Sequence, residues 1–309
     1  MKLCYTRING GNFGDDLNPW LWGRLIPDLL DDDEGAGFYG IGTLLHRELP
    51  RRQIKIIFGA GAGYRRPPAV DRTWRIYFVR GPLTASALRI DAAFAVTDPA
   101  YLLRACALPE EAQEHACSFM PHHGSRGLTD WPLLCRLSGC RYIDPAGPVE
   151  AVIREIRRSR ILITEALHGA VAADAFRVPW IPVRVSHRIL DFKWRDWCRS
   201  VALPYRPIDL PVVFEGDLPW PVRLRAALKR GTRALGLGKE KWKRLPLRRS
   251  SGAEKERVIE CLARIPRKAD TFLSSEDLSR TVTRRLLDKL EQLKKDHARG
   301  IFPSPASWR

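Results

Sequence analysis

Short apolar runs, each closed by a glycine-rich or polar turn and followed by a helical pattern, recur through the first two hundred residues. A chain patterned this way folds as a sheet flanked by helices. In the first series, residues 2–8, 54–58 and 75–79 read as strands. A helix is predicted over 17–30, with Trp20, Leu21, Leu25 and Leu29 near helical spacing, and Pro82 stands where another helix starts. A second series places strands at 117–120, 161–164 and 180–183, and helices at 128–137, 149–158, 167–176 and 191–201. The economical arrangement is two successive α/β halves, 1–112 and 113–210, joined near 108–115. Beyond Leu210 a proline-rich stretch leads into a basic, mainly helical extension, 211–309. Leu/Ile spacing over 258–265 and 286–293 fits either a free basic tail or an arm packed back on the body.

Composition narrows the class. A chain of 309 residues suggests about two domains. Its seven cysteines are odd in number and scattered without a CxxC pair, which fits reduced thiols rather than a disulfide framework or a zinc site. The N-terminus turns polar before an apolar leader develops, and no apolar run is long enough to span a bilayer. A cytoplasmic protein is therefore expected, peripheral on the inner face of the membrane. The net charge is +17, and its location is informative. Residues 1–210 hold 28 Lys/Arg against 23 Asp/Glu, whereas 211–309 hold 24 against 12. That asymmetry suits an anionic membrane surface. No zinc-finger or RRM signature accompanies the charge, so nucleic acid is not an expected partner.

The candidate chemistry lies at strand ends. Asn9-Gly10-Gly11-Asn12-Phe13-Gly14-Asp15-Asp16 and Gly59-Ala60-Gly61-Ala62-Gly63 are turns whose backbone N–H groups can approach an anion, or simply tight turns. Neither is a dinucleotide or P-loop fingerprint. Asn12, Gly14 and Gly61 are thus candidate substrate contacts. Asp15 and Asp16 either cap the following helix or face a sugar hydroxyl, Asp15 as a general base. Arg80 ends a strand, where parallel sheets bind ligands, and its fork suits a carboxylate or phosphate. His122 and His123 follow one strand of the second half and His168 another, with Glu165 on the latter turn as a base or a backbone anchor. Trp20, Trp22, Tyr39, Tyr64, Trp194 and Trp197 suit sugar stacking or core packing.

The segments Asn12-Phe13-Gly14-Asp15-Asp16-Leu17-Asn18, Val79-Arg80-Gly81-Pro82-Leu83-Thr84, Thr97-Asp98-Pro99-Ala100 and Leu167-His168-Gly169 resemble, in this order, the polysaccharide pyruvyl transferases. The likeness is nearest to the exopolysaccharide ketal-pyruvyltransferases of the succinoglycan type and spans roughly residues 5–200. It implies two Rossmann-like halves similar to the GT-B glycosyltransferase fold, with the site between them. It also implies phosphoenolpyruvate as donor and co-substrate and a lipid-linked oligosaccharide as acceptor; no other cofactor is expected, and no residue is assigned as a metal ligand. Arg80 and His168 match family residues that contact the donor. Many members carry an arginine where this chain has Ala166, and Arg184, His187, Arg188 and Lys193 are candidates to replace it.

Such a reaction needs a proton donor for the methylene carbon and a base for the sugar hydroxyl. His168 or His122 is expected in the first role and Glu165 or Asp15 in the second. Arg80, Asn12, Gly14, Asp16, Gly61, His123 and Lys193 are expected to bind substrate. A glycosyltransferase acting on a nucleotide sugar is the competing reading, because it shares the two-half architecture.

Overall fold

The computed structural model describes residues 1–45, 49–64, 66–185, 189–214, 220, 224 and 250–302. Among these, two parallel sheets form. The first, in the order β1-β2-β3-β4, joins β1 (Lys2–Leu3), β2 (Ala36–Tyr39), β3 (Ile54–Phe58) and β4 (Trp74–Phe78). The second has the order β6-β5-β7-β8-β9. Its strands are β5 (Ser118–Met120), β6 (Arg141–Tyr142), β7 (Leu162–Thr164), β8 (Trp180–Arg184) and β9 (Ile208–Asp209). Parallel neighbours require crossovers: α1 (Phe13–Leu25) lies between β1 and β2, α2 (Pro82–Leu88) follows β4, and α3 (Trp131–Ser138), α4 (Val149–Arg157), α5 (Leu167–Ala175) and α6 (Asp191–Ser200) alternate with the strands of the second sheet. This mixed α/β arrangement of two parallel sheets fits the Rossmann-like, GT-B-like reading.

Strand β3 is buried at every position, as expected in a covered parallel sheet, and its one charged residue, Lys55, donates to Thr73 Oγ1 (2.7 Å) and the Gln53 carbonyl (2.9 Å). Several boundaries differ from the sequence expectation. The first strand is only Lys2–Leu3, extended by one bond from Cys4 N–H to the Phe38 carbonyl (2.9 Å), so Thr6 and Ile8 are left for the site. Helix α1 begins at Phe13, four residues early, because Phe13 and Leu17 both face the core with Leu21 and Trp22. Strands β2, β6 and β9 were not anticipated. Ala36-Gly37-Phe38-Tyr39 lacks alternation, and Gly37 packs so close to Gln53 that a Cβ would collide with its amide oxygen at 2.6 Å.

Two further helices, α7 (Gly252–Lys268) and α8 (Glu276–Ala298), pack back on the body. Val258, Leu262 and Ile265 of α7 join the apolar cluster around Phe119 and Trp131 of the second half. Val282, Leu286, Leu290 and Leu293 of α8 are buried in the main core, each contributing roughly 1.5–3 kcal/mol of burial. A hydrogen-bond knot holds α8 in place. The Tyr101 hydroxyl, on the 3-10 helix Pro99–Ala105, donates to Asp174 (2.7 Å) of α5 and meets Ser279 (2.9 Å) of α8. No described helix is long and apolar enough to cross a membrane. Apart from Leu224, the basic stretch 221–249 lies outside the described residues, as do His187 and Arg188.

Candidate active site

The carboxyl ends of both sheets face a cavity of about 500 Å³, a size that admits a small-molecule ligand. The turn before α1 reaches across to the second half. Phe13 N–H donates to the Pro145 carbonyl (2.8 Å), and Gly11 lies so close to Ala146 that a Cβ would stand 2.8 Å from its carbonyl oxygen. Gly14, at the start of α1, lies against His168. A Cβ there would sit 2.0 Å from imidazole Nδ1, so only glycine allows the helix and the ring to share this wall.

Asn12, Gly14, Asp15, His122, His123, His168 and Lys193 all line this cavity. Asn12 Nδ2 donates to Asp15 (2.6 Å). Burial pushes the Asp15 carboxyl above the ordinary carboxylate range, against the opposing pull of Asn12 and His168. His122 Nδ1 accepts from Gly124 N–H (3.1 Å), which leaves Nε2 as the protonated nitrogen of its neutral ring. Burial, then the charge of Lys193 and the two neighbouring histidines, holds His122 well below its usual value. His123 is pushed down to about 4 by burial and Lys193. Lys193 itself is lowered to about 8, by burial and by Arg80, with Asp15 and Glu165 pulling the other way. No hydrogen-bond or ion-pair partner reaches its ammonium among the described residues. Ala166 lines the same cavity.

Four expected site residues sit elsewhere. Arg80 is fully buried beside the cavity rather than in its wall. Its Nε donates to Asp196 (3.1 Å), Nη1 to Thr43 Oγ1 (2.9 Å) and Nη2 to the Ala62 carbonyl (2.9 Å). Thr43 does line the cavity, so Arg80 reaches it through that hydroxyl. Gly61 gives Arg80 its room, since a Cβ would lie 2.2 Å from the guanidinium carbon, and its N–H is spent on Gly42 (2.8 Å). Asp16 accepts from Asn12 N–H (2.9 Å), which closes the first turn of α1. Glu165 is fully buried and accepts from His122 N–H (3.1 Å) and Val185 N–H (2.8 Å), bracing the ends of β5 and β8. Of the two readings of Glu165, this geometry is the backbone anchor. Arg184 is likewise occupied, paired with Asp209 (2.7 Å) and Asp191 (3.3 Å).

The aromatic candidates also separate. Trp22, Trp194 and Trp197 are wholly buried, and Tyr39 is buried with its hydroxyl on Gln53 (2.7 Å). Trp20 lies under the Arg24 guanidinium at 4.0 Å. Tyr64 alone of the six lines the cavity, with 53% of its surface exposed.

Two residues at the site were missed as candidates. Asp196 of α6 holds Arg80 and also accepts from Thr84 N–H (3.0 Å) and Thr84 Oγ1 (2.5 Å). Asp98 stands 3.5 Å from His168 Nε2. It lies inside a recognised motif, but its partner is seventy residues away and nothing local announces the pairing.

The comparisons agree with the family resemblance. A family model described as polysaccharide pyruvyl transferase matches residues 8–187. The chain is 41% identical over 218 residues to the succinoglycan biosynthesis protein ExoV of Rhizobium meliloti (strain 1021), a match covering 69% of this chain and 68% of that relative.

Proposed function

The chain belongs to the polysaccharide pyruvyl transferases, and we propose that it takes the pyruvyl group from phosphoenolpyruvate and closes it as a cyclic ketal on one sugar of an exopolysaccharide repeat, releasing phosphate. The carrying observation is the charge balance of the cavity: among the described residues, Lys193, whose ammonium has no partner there, and three histidines line one space, with Asp15 the only acid. An anionic donor with a carboxylate and a phosphate is complementary to that wall.

Each group has a role in the proposal. Lys193 holds a donor oxygen in place of the arginine absent at Ala166, and the His122 Nε2–H and His123 donate alongside it. A proton from His168 adds to the methylene carbon, making it a methyl group, while a sugar hydroxyl bonds to the adjacent carbon. Phosphate then leaves with the electrons of its C–O bond, and a second hydroxyl closes the ring. Asp15 takes a hydroxyl proton, and its raised pKa makes it a better base than an ordinary carboxylate. The two hydroxyl protons balance the new methyl hydrogen and the released phosphate. Tyr64 at the rim offers a ring face to the sugar. The donor is the only co-substrate, with no resident cofactor. The acceptor is lipid-linked, and the basic 211–309 region draws the enzyme to the anionic inner face of the membrane.

The test is phosphate release from phosphoenolpyruvate with membrane-extracted lipid-linked oligosaccharide, followed by mass analysis of the glycan. Phosphate appearing together with a pyruvyl ketal supports the reading. Lys193→Met is expected to raise the KM for phosphoenolpyruvate roughly ten- to a hundredfold, the worth of one charged hydrogen bond. Release without any change in the glycan, or transfer from a nucleotide sugar instead, rejects it.

A further inference from the structure

We propose that Asp98 is a positioning residue that fixes the tautomer of His168, so that Nδ1 is the nitrogen that exchanges protons with the substrate. The proposal rests on the reading of His168 as the proton carrier.

Asp98 is fully buried, and its two oxygens are used differently. Oδ1 accepts the Ala100 N–H (3.0 Å) and caps the 3-10 helix Pro99–Ala105. Among the described residues Oδ2 has no hydrogen-bond partner and lies 3.5 Å from His168 Nε2, which is itself enclosed and without a formed bond there. Two buried polar atoms facing each other, each otherwise unsatisfied, are rare because each carries a desolvation cost. A shift of a few tenths of an ångström makes the bond, and catalytic contacts are commonly this long before substrate arrives. A helix cap alone would need only one oxygen, so the placement of the second on the imidazole calls for a separate reason.

The other face of the ring completes the argument. Nδ1 is the nitrogen beside Gly14, and both Gly14 and His168 line the cavity. With the proton on Nε2 held by Asp98, Nδ1 presents its lone pair to the cavity in the neutral ring and carries the transferable proton in the imidazolium. The carboxylate then compensates the ring's positive charge beside Lys193. Asp98 is fit for this because it stays ionised. Burial opposes its charge but is outweighed by His168, Arg80 and the Ala100 N–H, which together hold it below the usual carboxylate range. Arg80 thereby contributes to the site without touching the cavity. The logic is that of a carboxylate orienting a histidine in a hydrolytic triad.

The experiment is long-range proton–nitrogen NMR of the full-length protein, read at His168. The neutral ring is expected to carry its proton on Nε2. Asp98→Asn keeps an oxygen for Ala100 and turns an NH2 toward Nε2, so it should move the proton to Nδ1. The variant's kcat should fall roughly 10³–10⁴-fold, with the KM for phosphoenolpyruvate within about threefold of wild type. A purely structural Asp98 would change the unfolding midpoint without inverting the tautomer. The proposal is overturned if His168 of the unaltered protein is protonated on Nδ1, or if Asp98→Asn turns over within about threefold of wild type. Should the variant not fold, the tautomer in the unaltered protein decides. That readout needs no donor, so a wild-type protein inert toward phosphoenolpyruvate would reject the donor assignment and leave the tautomer result standing.

Discussion

A guanidinium with no exposed surface must be compensated inside the protein, and Arg80 finds its partner in Asp196, 116 residues away on α6. Asp196 in turn holds both the N–H and the hydroxyl of Thr84. Removing one member of such a pair strands the other charge in the interior, at about 3–5 kcal/mol. Arg80→Ala is therefore expected to lose that much stability in urea denaturation, with activity falling at least in step. An Arg80→Ala protein as stable as wild type, but unable to bind phosphoenolpyruvate, would make Arg80 a simple donor contact. Which arginine faces a ligand and which faces a carboxylate is not written in Val79-Arg80-Gly81, because the deciding partner arrives from another helix. The same is true of Glu165, where sequence left two roles open and the backbone amides of His122 and Val185 filled one of them.

The loop after β5 carries His122 and His123 with ring centroids 4.1 Å apart, next to Lys193. Both histidines are held neutral in the folded protein, whereas an unfolded chain would protonate them near pH 6.5. Between about 6.5 and about 4, the unfolded state thus binds more protons, and stability falls as the pH is lowered. The thermal midpoint should drop across that window, His123→Asn should flatten the drop, and millimolar inorganic phosphate should restore part of it. A midpoint unchanged between those pH values would show that the loop does not resist protonation. Elements of this kind were readable from sequence when they were mostly apolar, as with β3 and α5. The two-residue strands β6 and β9 were not, since their pairing depends on neighbours that sequence does not name.

On the scale of the whole molecule, α7 packs on the second half and α8 on the main core, so the extension is partly built into the body. The segment between β9 and α7 holds the densest positive charge, eleven basic residues against one acidic over 221–250. Trp220 and Leu224, described residues near its start, are 68% and 41% exposed, and exposed apolar residues within a basic sequence are in keeping with the proposed membrane-surface role. Each basic residue near an anionic surface contributes about 1 kcal/mol. Replacing Arg223, Arg225, Lys229, Arg230 and Arg233 by glutamine should abolish co-flotation with phosphatidylglycerol vesicles at moderate salt and leave transfer to a soluble acceptor intact. Undiminished flotation would remove this segment as the anchor. Deleting everything after Leu210 would be a poor test, because it strips α7 and α8 from the cores they cover.

Sequence by itself determined the class of the protein: alternating apolar runs and helical patterns dictate parallel α/β halves, and the ordered motifs around Gly14, Arg80, Asp98 and His168 mark the family. Those are properties of local patterning and of residue order. Only the tertiary structure decided the division of labour at the site. Lys193, Asp15 and the three histidines line the cavity, while Arg80, Gly61, Asp16 and Glu165 support it from behind. The physical reason is that a charged side chain's role depends on its burial and on the partner that satisfies it. For Arg80 and Glu165 these partners, Asp196, His122 and Val185, come from 20 to 116 positions away.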